Sequence, residues 1–168
     1  MKKLNTLSAL ALLLAISHSH AQTCNANIVR TAPDSRYELL NNGTEVKDTQ
    51  TSLIWQRCSL GQTWNGSSCT GTAAIYDWTN ALQTAANMGN GWRLPNIKEL
   101  SSLVERACYN ASINETYFPN TMRDWYWSSS PVAADSYDAW LVDFNYGYDN
   151  DYDYKNIHYY VRLVRSSQ

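Results

Sequence analysis

The chain has 168 residues, with 13 Lys and Arg set against 15 Asp and Glu. That acidic balance argues against a phosphate-backbone partner, and no nucleic acid is expected. The length suits one ordinary domain with a core of its own.

Residues 1–21 read as a secretory signal peptide. Lys2 and Lys3 form the charged start, and residues 7–16 form an apolar run. That run is shorter than the ~20 residues that span a bilayer. Ser19-His20-Ala21 is a small-x-small cleavage site, so cleavage is expected near Ala21 and the mature chain, 22–168, is read as a single domain. Cys24 lacks a directly preceding lipobox, so no lipid anchor is expected. No later stretch is apolar enough for a membrane span. Without the two leader lysines, 11 basic residues face 15 acidic ones, which also makes heparin-like polyanions poor candidates. The expected location is secreted or periplasmic.

All four cysteines, Cys24, Cys58, Cys69 and Cys108, lie after the leader. An even count in an exported chain points to two disulfides, and three pairings are possible. Cys58 and Cys69 bracket a Gly/Ser/Asn-rich segment and pair most naturally with each other. Cys24 would then staple the N-terminus to Cys108. Loop entropy assigns ~3 kcal/mol to the short ring and ~4.5 kcal/mol to the long one. A zinc site does not fit these spacings, so no metal ligands are expected among them.

Residues 37–40 and 44–46 flank Asn42-Gly43, a type I′ hairpin signal. Residues 53–55 form a short apolar strand. A helix is expected over 76–88, with Asp77 capping it, Trp78, Leu82, Ala85 and Ala86 on one face, and Gly89 ending it. The stretch 91–107 organises the chain. Pro95 bars strand continuation, and Asn96 with Glu99 forms a capping box. Leu94 and Leu100 are placed for a hydrophobic staple. Ile97, Leu100, Leu103, Val104 and Ala107 then repeat at helical spacing. Residues 108–124 read as a long ordered loop and 126–130 as a strand. Residues 139–146 alternate, with Trp140, Val142 and Phe144 inward and Leu141, Asp143 and Asn145 outward. Residues 160–165 form a closing strand. Helices and short strands that do not alternate make an α+β pattern.

Four motifs then stand in order: TSLIWQRC at 51–58, GWRLP at 91–95 with Glu99-Leu100, YWSSS at 126–130 and VRLVR at 161–165. Together they resemble the bacterial domain family named after the C-terminal domain of the Legionella collagen-like adhesin. The resemblance covers nearly all of the mature chain. It implies a C-type-lectin-like fold, akin to formylglycine-generating enzymes, with two helices and a twisted, mostly antiparallel sheet. It also implies terminal strands near each other and adhesin-like binding of a cell-surface glycan or protein. The adhesin's collagen-like stalk is missing, so its avidity is not implied here.

Enzyme readings fare poorly. His158 has no nucleophile signature around it, and a triad needs an oriented base. Asp151 and Asp153 could share acid/base work, but nothing splits their environments. Formylglycine chemistry needs free cysteines, and these four have disulfide partners. The run 149–153 alternates oxygen ligands that suit calcium. Tyr154 and Tyr160 stand where a calcium loop of the EF-hand type needs Gly and Glu, and the sugar-binding tripeptides of C-type lectins are absent. No cofactor is therefore expected, calcium being the one left open.

The informative stretch is 145–160, NYGYDNDYDYKNIHYY, read as a surface loop left by Gly147. Tyrosine supplies rigid contact area and Asn and Asp supply adaptable hydrogen bonds, the composition of an antibody paratope. The expected ligand-binding residues are Tyr137, Asp143, Asn145, Tyr146, Tyr148, Asp149, Asn150, Asp151, Tyr152, Asp153, Tyr154, Asn156 and His158. Asn, Asp, Tyr and His codons differ only at the first base. Diversity-generating retroelements, which mutate adenines, scatter such residues over C-terminal binding faces of C-type-lectin-like proteins.

Overall fold

A computed structural model describes residues 21–167. The leader at 1–21 lies outside the described residues except for Ala21. Early strands are β1 (Thr23–Cys24), β2 (Tyr37–Leu40), β3 (Glu45–Asp48), β4 (Leu53–Gln56), β5 (Thr63–Trp64), β6 (Cys69–Thr70) and β7 (Ile75–Tyr76). Helices α1 (Trp78–Asn87) and α2 (Ile97–Ser101) follow. The remaining strands are β8 (Cys108–Tyr109), β9 (Trp125–Pro131), β10 (Asp138–Asp143), β11 (Tyr148–Tyr154), β12 (Tyr159–Tyr160) and β13 (Val164–Ser166).

The strands build a five-stranded sheet, β11-β10-β9-β12-β7, and a four-stranded sheet, β13-β4-β3-β2. Ribbons β1-β8 and β5-β6 complete the α+β architecture. Pairing is antiparallel throughout except between β12 and β9. Strands β2 and β13, from opposite ends of the chain, share the four-stranded sheet.

The large sheet is covered on both faces. Tyr126, Val142 and Phe144 join Trp55, Leu100 and Phe118 in one buried cluster. Their chain neighbours Trp127 and Leu141 join Leu94, Val161 and Leu163 in the other, under Ala81 and Ala85 of α1. A strand buried on both faces loses the inside–outside alternation of a half-exposed one. Hence Leu141 and Asp143, expected outward, are buried, while Trp140, expected inward, is half-buried. The register also shifts at Trp140, between Ala139 and Leu141, against both neighbouring strands.

The capping box forms as expected. The Glu99 amide donates to Asn96 Oδ1 at 2.9 Å, and the Asn96 amide donates to Glu99 Oε2 at 2.8 Å. The helix itself ends at Ser101, not at Ala107. Val104 bridges to Ile113, and the Glu105 carboxylate turns away to take the amides of Thr31, Ala32 and Ala107. Leu103, Val104 and Ala107 are still buried, so their spacing marked burial and not helix. Leu94 and Leu100 enter different clusters and make no staple.

Helix α1 is capped by Asp77, which accepts from the Asn80 amide at 2.9 Å. Its buried face uses Ala81 with Ala85; Ala86 is exposed. The β2–β3 hairpin has a four-residue connection, not a two-residue I′ turn. Asn41, Asn42 and Gly43 all take positive φ there. The closing strand splits in two, β12 in one sheet and β13 in the other.

Both disulfides form as paired above, Cys24–Cys108 and Cys58–Cys69, and leave none of the four as a free thiol. No helix among the described residues is long and apolar enough to cross a membrane.

Candidate functional site

The motif residues are committed to the frame. Arg162 is fully buried and has no carboxylate partner among the described residues. Its guanidinium donates to the carbonyls of Gln56 and Arg57 and to the hydroxyl of Thr121, and lies 5.0 Å from the Phe118 ring centre. Arg93 forks onto Glu99 at 2.6–2.7 Å, tying the β-bridge at Val164 to the cap of α2. Arg165 pairs with Glu45 at 2.9 Å across the four-stranded sheet. Arg36 and Asp48 form a buried fork, with Thr51 also donating to Asp48. Those bonds hold the Asp48 carboxyl below its usual range despite the opposing effect of burial.

The stretch read as a loop at 145–160 is mostly strand. Residues 148–154 form β11, hydrogen-bonded to β10 at the edge of the large sheet. The turn before it needs Gly147. Its φ is +79°, and a Cβ there would meet Val104 Cγ1 at 2.7 Å. Pairing explains the strand: β10 has one edge on β9, and the Tyr- and Asp-rich segment supplies the backbone for the other.

This rearrangement divides the expected ligand-binding residues. Asp143 is buried in the turn, accepting the Asn145 amide at 2.7 Å. Burial, with Asp124 adding to it, raises its pKa against that hydrogen bond. Asn145 is half-buried, its carbonyl taking the Asn110 amide at 2.8 Å. Asp153 accepts the Tyr159 hydroxyl at 2.9 Å. These three are structural contacts. Asn150 and Asp151 are half-buried, Asp149 is exposed, and Tyr152 lies within β11.

Apart from Tyr109 in β8, the tyrosines exposed among the described residues gather at the two ends of β11. Near the turn, Tyr146 and Tyr148 are 55% and 64% exposed, with ring centres 6.2 Å apart. At the far end, Tyr137 and Tyr154 are 73% and 62% exposed. Ser136, Tyr137, Tyr154, Lys155 and Asn156 line a cleft of about 460 Å³ there. A second hollow, lined by Asp77, Thr79, Asn80, Lys155 and Asn156, shares two of those walls. Exposed His158 acts electrostatically on Asp77, whose carboxyl is held low first by the Asn80 amide.

Lys155 fixes the cleft. Its amide donates to Tyr137 O at 2.9 Å, its ammonium donates to Ser136 O at 2.6 Å, and it lies 4.8 Å over the Trp78 ring. Ser136, Lys155, Asp77, Thr79 and Asn80 were not among the ligand-binding residues expected from the sequence, where Asp77 stood only as a helix cap. They are ordinary polar residues, brought to the cleft only by the pairing of β10 with β11 and by the start of α1. Among the described residues no group of three His, Cys, Asp or Glu is placed to hold a metal ion.

The model of the Lcl C-terminal domain family matches residues 44–165, which include all four motifs whole. No curated protein sequence matches the chain. The chain belongs to the Lcl C-terminal domain family.

Proposed function

With membership of that family as the premise, we propose that the chain is an adhesin-like, secreted or periplasmic binding domain and not an enzyme. Its fold is read as C-type-lectin-like. The surface carried by β11 recognises a cell-surface glycan or protein. The observation that carries this reading is the placement of four exposed tyrosines, in two pairs, at the ends of one edge strand. Seven residues of strand put those ends roughly 20 Å apart. Exposed tyrosines in such number on one surface are characteristic of interfaces, where large amphipathic rings act as anchors. The cleft beside Tyr137 and Tyr154 adds a concave subsite with amide and ammonium donors on its walls.

The test is a glycan array and a surface-protein pull-down with the mature protein, repeated with Tyr137→Ala plus Tyr154→Ala. Each anchor is expected to contribute about 2 kcal/mol, so the double variant should lose nearly all binding. Binding that survives both substitutions, or tight salt-sensitive binding to heparin, would overturn the reading. The same proposal makes the exposed Asn, Asp, Tyr and His codons of 137–158 the positions that a retroelement would vary. A neighbouring reverse-transcriptase gene with a template repeat of this coding region is the corresponding check.

A further inference from the structure

Another cavity lies at the opposite end of α1. It has a volume of about 280 Å³ and is walled by Trp64, Trp92 and Met88 together with Glu45, Gln56 and Gln62. Asp77, which caps the start of α1, borders the tyrosine cleft, while Met88, just past its end, borders this cavity. Ten helical residues separate them by about 15 Å, so the two hollows cannot hold one small ligand. We propose that this cavity is a separate binding site that takes one uncharged sugar ring.

The indoles point to the ligand class. Each is braced by a guanidinium, Arg57 at 3.6 Å from the Trp64 ring centre and Arg165 at 5.2 Å from that of Trp92. Braced indoles are rigid platforms for the C–H face of a pyranose. Neither cation is available to an anion. Arg57 donates to the carbonyls of Gly43, Thr116 and Tyr117, and Arg165 is paired with Glu45. The charges at the walls thus cancel or are already satisfied, which disfavours sulfated and uronic sugars.

Two carboxamides supply the polar half. The Gln56 side chain makes no hydrogen bond to any described residue, its backbone alone being engaged. The Gln62 amide reaches Asn120 O at only 3.5 Å, and its own carbonyl oxygen is buried without a partner. A carboxamide both donates and accepts, as a sugar hydroxyl does, and turning Gln62 toward a ligand would satisfy that oxygen. The cavity is close in size to the smallest small-molecule sites, of about 300 Å³.

The experiment uses the mature protein labelled at the indole nitrogens and titrates it with methyl glucoside, methyl galactoside and methyl mannoside. At least one should shift the Trp64 and Trp92 indole signals saturably, with Kd on the order of 1 mM, alike at low and high salt. Gln56→Ala should weaken that response roughly three- to tenfold, the loss of one hydrogen bond, while leaving the unfolding midpoint in place. Tyr137→Ala plus Tyr154→Ala should leave it unchanged, which separates this site from the proposed recognition surface. No saturable shift with any of the three glycosides would overturn the proposal. So would a response indifferent to Gln56→Ala, a preference for sulfated sugars that fades with salt, or a response only to an apolar probe such as indole.

Discussion

Tyr154 and Arg162 stand close in sequence and opposite in use. Arg162 is wholly enclosed, its two terminal guanidinium nitrogens bonded to backbone carbonyls and a hydroxyl. Tyr154 is mostly exposed, and its ring borders a cleft. The same division runs through the molecule. Residues of the motifs that mark the family, such as Trp55, Arg93, Trp127 and Arg162, hold sheets, cap and core together. The residues of β11 hold the fold mainly through their backbone, which leaves several side chains free to vary. A frame fixed by buried polar anchors can carry a changing surface, because surface substitutions typically cost within about 0.5 kcal/mol.

The sharpest way to break this division is to cut the frame. Replacing Cys24 and Cys108 together by Ser should destabilise the protein by about 4.5 kcal/mol, from the long loop that the bond closes, as read from urea unfolding. Arg162→Met keeps much of the side-chain volume but strands two carbonyls. It should cost about 3 kcal/mol by the same measurement, and a cost like that of a surface residue would refute the anchor role.

Acid separates two buried aspartates. Asp48 has a lowered folded pKa, so its contribution is fully present above the ordinary aspartate value of about 3.9 and is lost as pH falls through the folded value. Unfolding midpoints taken downward from neutral pH should therefore fall most steeply below that ordinary value. The Asp48→Asn variant, weaker at neutral pH, should show a shallower acid limb. Asp143 has a raised folded pKa, so its effect has the opposite sign: protonation near and below the folded value favours the folded state. Asp143→Asn should change stability at neutral pH by less than about 1 kcal/mol, because an amide oxygen can still take the Asn145 amide. A large loss would mean that the charge itself is required.

The smallest expected effect is on the other side of the comparison. Tyr148→Ala and Tyr154→Ala should each move stability by no more than about 0.5 kcal/mol in the same unfolding assay. If either unfolds the domain, β11 is part of the frame and the division fails.

Short-range chemistry was legible in the sequence. The Asn96–Glu99 capping box and the Asp77 cap depend on atoms three residues apart, so local order is enough to set them. The pairing of Cys58 with Cys69 is similarly local. The burial of Leu103, Val104 and Ala107 was also legible, since apolar residues are driven from water whatever backbone carries them. Their helix was not, because Glu105 gains more from distant amides at Thr31 and Ala32 than from continuing a turn. Residues 148–154 looked like loop because their side chains are polar. What made them a strand was the unpaired edge of β10, a backbone demand that no side-chain pattern records. The inside–outside assignment along β10 failed for a related reason: the strand is covered on both faces, so the period of two carries no sign. The sequence by itself determined the caps, the disulfide frame and the residue types available for contact. Only tertiary structure decided which tyrosines face outward and that Lys155, Asn156 and the start of α1 meet beside them, because those choices depend on hydrogen bonds and packing between segments far apart in the chain.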